Sequence, residues 1–405
     1  MKPWPESYIP PIPFVFPPLK LKATWGSSVE RDIFNIYVCG ITPYDATHLG
    51  HALTYLNFDL INRYKKLNDK RLNFIENVTD IDDPLFERAR RDGIDWKNLS
   101  DSQTKLFIDD MTSLRVIPPS HFSSVSETID LVIDGIRKLK DKKMIYQLGR
   151  ETYFMIKDFL NELPIAEKEA IAIFRERGGD PDREGKSHPL DPILWRGSEK
   201  DEPSWSSPFG EGRPGWHIEC AVIAVDGSGR GGIDNPPTLD MQGGGRDLIF
   251  PHHFMTKVIS ECISGIEFAA EYVHTGLLGY QGEKMSKSKG NLVFVHKLLE
   301  EKIDPMVLRY ALLKPHYSKD WMWTAEVLSQ ANEDVAKIRS ALSKSEVADT
   351  AGRIKAMVMA LADDLNTQSA LNELIQWSEE TLNGAVGGNV GAMSRFIDSA
   401  LGLAL

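Results

Sequence analysis

The sequence predicts an α/β fold built on a parallel sheet, and two observations predict it. An apolar run at 33–38 indicates a buried strand, and the residues after it place apolar side chains at helical spacing. These are Leu53, Leu56, Leu60, Tyr64 and Leu67. A second apolar run at 72–76 is followed by the polar stretch 77–83. Strand, loop and helix in that succession are typical of a sheet with helical crossovers.

Composition and charge limit the class of protein. The chain has 405 residues, of which 42% are hydrophobic and 26% charged, as in a soluble globular protein. The sequence contains neither an apolar run long enough to span a membrane nor an N-terminal signal peptide. The net charge of −11 gives no sign of the basic face that holds a large RNA. Three cysteines suit a reducing compartment, so we expect a cytoplasmic protein without membrane or nucleic-acid partners.

The first strand leads into a loop that carries a thiol, small residues and two histidines, Cys39 to His51. Loops between a parallel strand and a helix are where α/β folds bind nucleotides. Within this loop, His48-Leu49-Gly50-His51 places a glycine between two imidazoles that can donate hydrogen bonds to phosphate oxygens. The alternative from the tetrapeptide alone is two surface histidines near the start of a helix.

A second basic loop lies much later in the chain, at Lys284-Met285-Ser286-Lys287-Ser288. Gly282 precedes it and Gly290 follows it, so the loop has the freedom to close. Two lysines beside small hydroxyl residues can stabilise the charge of departing pyrophosphate. The alternative is a solvated, lysine-rich turn.

Cys39, Cys220 and His252 form a third candidate set, since each follows a predicted strand or lies near a glycine-rich stretch of the same sheet. Two thiolates and an imidazole suit tetrahedral zinc with a fourth position open to substrate. Their spacing is not that of a compact zinc finger. The residues alone therefore leave open two buried cysteines and a structural histidine.

These motifs occur together in the order of one family, and from 28 to about 325 the chain resembles cysteinyl-tRNA synthetases. Further matching stretches are 77–83, 202–205, 212–220, 243–245, 250–253 and 363–367. Within that group it is similar to the ligases of mycothiol biosynthesis, through 42–48, 83–89 and above all Glu176-Arg177-Gly178-Gly179-Asp180-Pro181. Only about 80 residues follow Trp323, which is short for a domain that reads an anticodon.

The resemblance implies a Rossmann-like class I synthetase catalytic core with an inserted, mainly helical subdomain and a C-terminal helical domain. We expect an extended, proline-rich arm at 1–27, which lies on the body or is loose in solvent. The catalytic domain is expected at 28–320, the insertion at approximately 117–205, and the helical domain at 321–405.

The resemblance also implies the site. One zinc ion per chain would be held by Cys39, Cys220 and His252 and would take the thiol of cysteine as its fourth ligand. ATP, with Mg²⁺, would meet His48, His51, Lys284 and Lys287. The cysteinyl-adenylate would be bound by Cys39, Gly40, Ile41, Thr42, Thr54, Asn77, Val78, Thr79, Trp216, Gly245, Arg246, Asp247 and Leu278. The segment Glu176 to Pro181 is a motif of the ligases.

The expected activity follows from that resemblance: ATP-dependent activation of cysteine, then transfer to the amine of glucosaminyl-inositol, by a monomeric enzyme. One alternative is a cysteinyl-tRNA synthetase with a reduced C-terminal domain, and another is a non-catalytic, synthetase-like binding protein. Thr256 stands where the synthetases carry a glutamate that is a further zinc ligand, which fits the ligase better. Phe254 stands where relatives carry glutamate, and Arg246 where they carry serine.

Overall fold

The computed structural model describes residues 4–5, 8–229, 231–285 and 290–405. Its strands are β1 (Trp25–Gly26), β2 (Ile33–Ile41), β3 (Arg71–Val78), β4 (His121–Ser124), β5 (Ile145–Leu148), β6 (Glu151–Phe154), β7 (Ile193–Arg196), β8 (Arg213–Pro214), β9 (Leu239–Gly245), β10 (Ala269–Thr275), β11 (Leu278–Tyr280), β12 (Glu283–Lys284) and β13 (Trp321–Trp323). Its helices are α1 (Leu49–Leu67), α2 (Asp83–Asp92), α3 (Trp96–Ser113), α4 (Ile129–Asp141), α5 (Glu167–Glu176), α6 (Trp216–Gly227), α7 (Phe254–Ser264), α8 (Val295–Glu300), α9 (Pro305–Leu313), α10 (Ala325–Leu342), α11 (Thr350–Ala362), α12 (Thr367–Leu382) and α13 (Val390–Leu401).

The main sheet confirms the predicted parallel α/β core. Its strand order is β1-β10-β9-β2-β3-β4, and all neighbours are parallel except β1, which pairs antiparallel with β10. The chain runs outward from β2 through β3 to β4, then returns to β9 beside β2 and runs outward to β10. The order therefore reverses between β2 and β9. At such a reversal the connections leave on opposite faces, which opens a crevice at the carboxyl ends of the strands.

The two faces of the sheet carry separate hydrophobic cores. Ile36 and Val38 of β2 pack with α1 and the C-terminal helices, whereas Tyr37 and Cys39 pack with α4, α6 and α7. This follows from the alternation of side chains along a strand. Cys39 occupies an odd-numbered position of β2, so its side chain lies on the face of the sheet that α6 covers.

Glycines in β9 are required by close packing on both faces. A Cβ atom at Gly243 would lie 2.3 Å from the Phe58 ring of α1, and one at Gly244 would lie 2.7 Å from the His253 ring. Both distances are shorter than Cβ contacts tolerate. The glycine run, which by propensity disfavours a strand, is therefore a central strand whose neighbours leave no room for side chains.

The stretch from β5 to β8 contains structure that the sequence did not predict. Strands β5, β6, β7 and β8 form a four-stranded antiparallel sheet, ordered as in the chain. The lack of apolar periodicity across 164–213 predicts irregular structure there, and this prediction is wrong for α5 and β7. Only Ala170 and Phe174 of α5 are buried, so the apolar stripe is too short to show a helical period.

Both ends of the chain pack on the core. In the N-terminal arm Phe16 and Leu19 are buried, and Tyr64 of α1 donates a hydrogen bond to the Pro17 carbonyl at 2.6 Å. Toward the other end, Leu401 and Leu403 are buried in the same cluster as Phe16 and Leu19. The domain limits at 27/28 and 320/321 stay predictions. Among the described helices, none has the length and apolar character that crossing a bilayer demands.

A buried charge cluster joins α1, α9 and the chain end. The Asp59 carboxylate accepts from Arg63 at 2.7 Å and from Arg309 at 2.5 Å. Arg309 also donates to the carbonyls of Leu114 and Leu401, both at 2.7 Å. Burial opposes the charge on Asp59, but the two arginines outweigh it and hold the pKa of Asp59 below its ordinary value. The cluster thereby fastens the helical C-terminus to the first crossover helix.

We expect Arg309→Met to lower the free energy of unfolding by about 3 kcal/mol. The substitution removes one partner of a buried ion pair and leaves two buried carbonyls without their hydrogen-bond donor. Urea denaturation measures the change. Arg339→Met is the matched control, since Arg339 pairs with Asp304 on the surface, and we expect a change below about 0.5 kcal/mol. Equal effects of the two substitutions would contradict a structural role for the cluster.

Candidate active site

A cavity of about 660 Å³ opens at the carboxyl edge of the sheet, where the strand order reverses. Its lining comes from the loop after β2, the start of α1, the start of α6, the end of β9 and the segment around β11. Glu176 and Arg177, at the end of α5, complete the wall. Distant parts of the chain therefore meet where the topology predicts a ligand.

Asn77 fixes the end of β2. Its side-chain oxygen accepts hydrogen bonds from the Tyr37 hydroxyl at 2.9 Å and from the Gly40 amide at 3.0 Å. Its amide nitrogen donates to the Thr79 hydroxyl at 3.1 Å. The β2–β3 register shifts between Val38 and Ile41, so the chain bulges at Cys39 and Gly40. The bulge and this hydrogen-bonded amide set the position of the Cys39 thiol.

The third candidate set from the sequence, Cys39, Cys220 and His252, meets at the base of the cavity. The ligand atoms of Cys39, Cys220 and His252 all lie within 4.8 Å of one another, and all three residues are buried. Cys39 comes from β2, Cys220 from α6 on the facing layer, and His252 from the turn that precedes α7. Two sulfurs and an imidazole at this separation can hold a metal ion, and the cavity supplies an open fourth side.

The His252 ring is held in one orientation by two neighbours. It stacks on Trp216 with ring centroids 4.1 Å apart and planes 15° from parallel. Its Nδ1 lies 3.0 Å from Nδ1 of His217. Burial lowers the pKa of His217 well below the usual range, so His217 is neutral, and one of the two Nδ1 atoms donates the hydrogen bond to the other. That arrangement leaves Nε2 of His252 as the nitrogen for a metal.

A chain of hydrogen bonds backs Cys39. His253 Nε2 lies 3.1 Å from the Cys39 sulfur, and His253 Nδ1 lies 2.7 Å from His274 Nε2. His274 Nδ1 is in turn 2.8 Å from the Thr24 hydroxyl. Burial lowers the pKa of His253 and brings that of His274 to about 3, so both rings are neutral. With the Thr24 hydroxyl as donor to His274 Nδ1, the N–H at His274 Nε2 donates to His253 Nδ1. The N–H at His253 Nε2 then donates to the Cys39 sulfur.

The H-x-G-H tetrapeptide begins α1 at the mouth of the cavity. His48 is the N-cap, and its Nδ1 accepts from the Gly50 amide at 3.0 Å. A Cβ at Gly50 would lie 2.8 Å from the His48 ring, so glycine is what allows this cap. The His48 and His51 rings stack with centroids 3.9 Å apart. The cap leaves the proton of a neutral His48 on Nε2, as a donor.

The structure places most of the predicted substrate-binding residues in the cavity wall. Those that line it are Cys39, Gly40, Ile41, Thr42, Thr54, Thr79, Trp216, Gly245, Asp247 and Leu278, together with His48 and His51. Of the described candidates, Asn77, Val78 and Arg246 do not line it. Asn77 is engaged within the fold, Val78 is buried in the core, and Arg246 pairs with Asp320 at 3.0 Å.

The lysine loop is only partly described. The backbone of Lys284 pairs with Gly279, and Met285 lines the cavity. Lys287, like Ser286 and Ser288, lies outside the described residues. Its predicted contact with ATP phosphates therefore stays a prediction.

Several residues around the site were not predicted from the sequence. Tyr37, His217, His253 and His274 support the side chains of the Cys39–Cys220–His252 cluster, and Tyr55 lines the cavity. Tyr37 had a signal, because it lies two positions before Cys39 on the same strand face. His217 and His253 adjoin predicted residues. His274 had none, since it reaches the site only through a strand pairing that the sequence does not specify.

The comparisons with known proteins agree with this geometry. A model of the family described as "tRNA synthetases class I (C) catalytic domain" matches residues 26–333. Methionyl-tRNA synthetase of Mycobacterium tuberculosis, solved with methionyl-adenylate, superposes with a TM-score of 0.65 and 17% identity over 92% of this chain and 89% of that one. A leucyl-tRNA synthetase of Agrobacterium radiobacter superposes with a TM-score of 0.63 and 10% identity, over 92% of this chain and 84% of that one. The fold is that of a class I synthetase, which confirms the predicted fold class.

Full-length relatives narrow the family. A protein of Nakamurella multipartita is 44% identical over 418 residues and covers 100% of both chains. A protein of Mycolicibacterium gilvum is 43% identical over 423 residues, covering 100% of this chain and 93% of its own. Both are named L-cysteine:1D-myo-inositol 2-amino-2-deoxy-alpha-D-glucopyranoside ligase. The chain belongs to this ligase family, and the predicted resemblance is confirmed.

We expect Gly40→Ala to destabilise the protein, by about 3 kcal/mol, because overpacking there must part β2 from β3. A Cβ at Gly40 would lie 1.5 Å from the Asn77 carbonyl oxygen, which is backbone and cannot swing away. The thermal unfolding midpoint measures the effect. Gly391→Ala is the control, since its nearest neighbour is the end of the Arg395 side chain at 3.3 Å. A midpoint equal to that of the control would contradict the assigned packing.

Proposed function

We propose that the chain is an ATP-dependent ligase that activates cysteine as cysteinyl-adenylate. It then transfers the cysteinyl group to the amine of glucosaminyl-inositol and releases AMP and pyrophosphate. The observation that carries the proposal is the meeting of Cys39, Cys220 and His252 at the base of a cavity whose mouth holds His48 and His51. A site for a thiol and a site for a nucleotide thus share one chamber.

The metal proposed for the base of the cavity is Zn²⁺, one per chain. The donor set of two sulfurs and one imidazole is soft, and the described donors number three rather than four, as in a site that keeps a place for substrate. A bound zinc ion would supply a Lewis-acidic position that prefers a thiolate to a hydroxyl. Cysteine would then be selected over serine by its side chain.

The protein's own residues would position the first reaction. Asp247 in the cavity wall is the carboxylate that would pair with the substrate ammonium. The substrate carboxylate would attack the α-phosphorus of ATP. Donors from His48 and His51 would stabilise the phosphate oxygens as pyrophosphate leaves, and Lys287, with Mg²⁺, would add charge there.

The second reaction needs the amine of the acceptor to reach the acyl carbon of the adenylate. The amine, in its neutral form, forms the C–N bond and gives up a proton to solvent. The bond between the acyl carbon and the phosphate oxygen breaks, so AMP leaves with the electron pair. The protein is proposed to act as a monomer in the cytoplasm with small-molecule substrates only. The acidic net charge and the Glu176–Pro181 motif support a sugar amine rather than tRNA as the acceptor.

Cysteine-dependent exchange of pyrophosphate into ATP tests the first reaction, and consumption of the adenylate tests the second. We expect exchange with cysteine but not serine, and consumption by glucosaminyl-inositol but not by tRNA. Consumption by tRNA alone would make the chain a synthetase. Absence of exchange would leave only a binding protein.

We expect Cys220→Ser to lose tightly bound zinc, from one ion per chain to less than about a tenth, because each thiolate contributes a strong bond to zinc. Elemental analysis after gel filtration measures it. Cys262→Ser is the matched control: Cys262 is a half-buried thiol on α7 outside the cluster and should leave zinc unchanged. Zinc retained by the Cys220 variant would contradict the proposed ligand set.

A further inference from the structure

The end of α5 reaches the rim of the cavity. Glu176 and Arg177 line the same chamber as Cys39, Trp216 and Asp247. The Glu176 side chain is exposed there and makes no hydrogen bond or ion pair with any residue that the structure describes. Its neighbour Arg175 is different, since it is paired with Asp182 at 2.7 Å. The Glu176 carboxylate is thus presented to the chamber, whereas the charge of the neighbouring Arg175 is neutralised by Asp182.

The rest of the Glu176–Pro181 motif anchors this end of the helix. The Asp180 carboxylate accepts from the Lys186 ammonium at 2.9 Å and from the Tyr153 hydroxyl at 2.5 Å. The Lys186 side chain is only 2% exposed, so its ammonium reaches Asp180 from within the fold. A Cβ at Gly179 would lie 2.5 Å from the Phe174 ring, so the backbone packs directly on α5. A turn held in this way keeps Glu176 and Arg177 at a fixed place on the rim.

Arg177 connects this rim to the adenylate side of the cavity. Its Nη1 donates to the Asp247 carbonyl at 3.1 Å. The guanidinium has five N–H donors, and this bond uses one of them. The side chain therefore spans from the inserted segment to the residue proposed to bind the ammonium of cysteine.

Resting on the proposed function, we infer that Glu176 and Arg177 form the subsite for the acceptor. The acceptor chemistry is a polyhydroxylated glycoside with a single primary amine, which is cationic at neutral pH. The unpaired carboxylate of Glu176 complements that ammonium, and the N–H donors of Arg177 complement hydroxyl and ring oxygens. The motif thus has two parts: 179–180 build the turn and 176–177 contact the sugar.

The test compares two ligands in Glu176→Gln. One is glucosaminyl-inositol, and the other is glucosyl-inositol, in which a hydroxyl replaces the amine and no ligation occurs. We expect the KM for the amino sugar to rise tenfold or more, because a charge-assisted hydrogen bond is lost. This factor should exceed any change in the rate of cysteine-dependent pyrophosphate exchange. The inhibition constant of the hydroxyl analogue should change less than about threefold, since that ligand carries no ammonium.

Glu169→Gln is the matched control, because Glu169 is an exposed residue of the same helix. It should match the wild type in exchange and in both ligand constants. Equal KM values for Glu176→Gln and wild type would overturn the subsite, as would equal losses with both ligands. A wild type that forms the adenylate but transfers it to no amino sugar would overturn the proposed function, and the subsite with it.

Discussion

The site depends on the hydrogen-bonded pairing of β2 with β9, two neighbouring strands whose connections leave the sheet in different directions. This pairing brings the Cys39 bulge beside the glycine-lined end of β9. It also opens the space into which α6 and the turn before α7 project Cys220 and His252. Because these residues lie on separate elements, no local segment can form the site. The sheet must be assembled before the three side chains meet.

Much of the core could be predicted from periodicity. The strand expected at 33–38, the helix stripe from Leu53 to Leu67 and the strand at 72–76 all lie within β2, α1 and β3. Local patterns sufficed there because each element buries a regular face. Periodicity failed for β9, where the packing of Phe58 and His253 selects glycine. It failed also for the small antiparallel sheet, whose short strands are set by pairing partners.

The candidate site was predictable to the extent that its motifs are contiguous in sequence. H-x-G-H and the motif at 176–181 each have a local signature, whereas the widely separated cysteines were assigned to one site only through the family resemblance. The supporting shell has no local signature: His274 and Tyr37 act through neighbours in space, and Arg246 is turned away by Asp320, a residue 74 positions on. Residue type indicates the chemistry that is available, whereas tertiary contacts decide which atoms face the chamber.

The N-terminal arm has a consequence for how the chain folds. Several of its partners are far away in the sequence: β1 pairs with β10, Lys22 bonds to Asp364 at 2.8 Å, and Ser399 donates to the Pro10 carbonyl at 2.7 Å. The arm therefore acquires all of its contacts only after elements as distant as α13 are in place. Thr24, which ends the relay behind Cys39, belongs to the same arm. The support of the thiol is thus a long-range contact, which forms only when Thr24 and His274, 250 positions apart, have met.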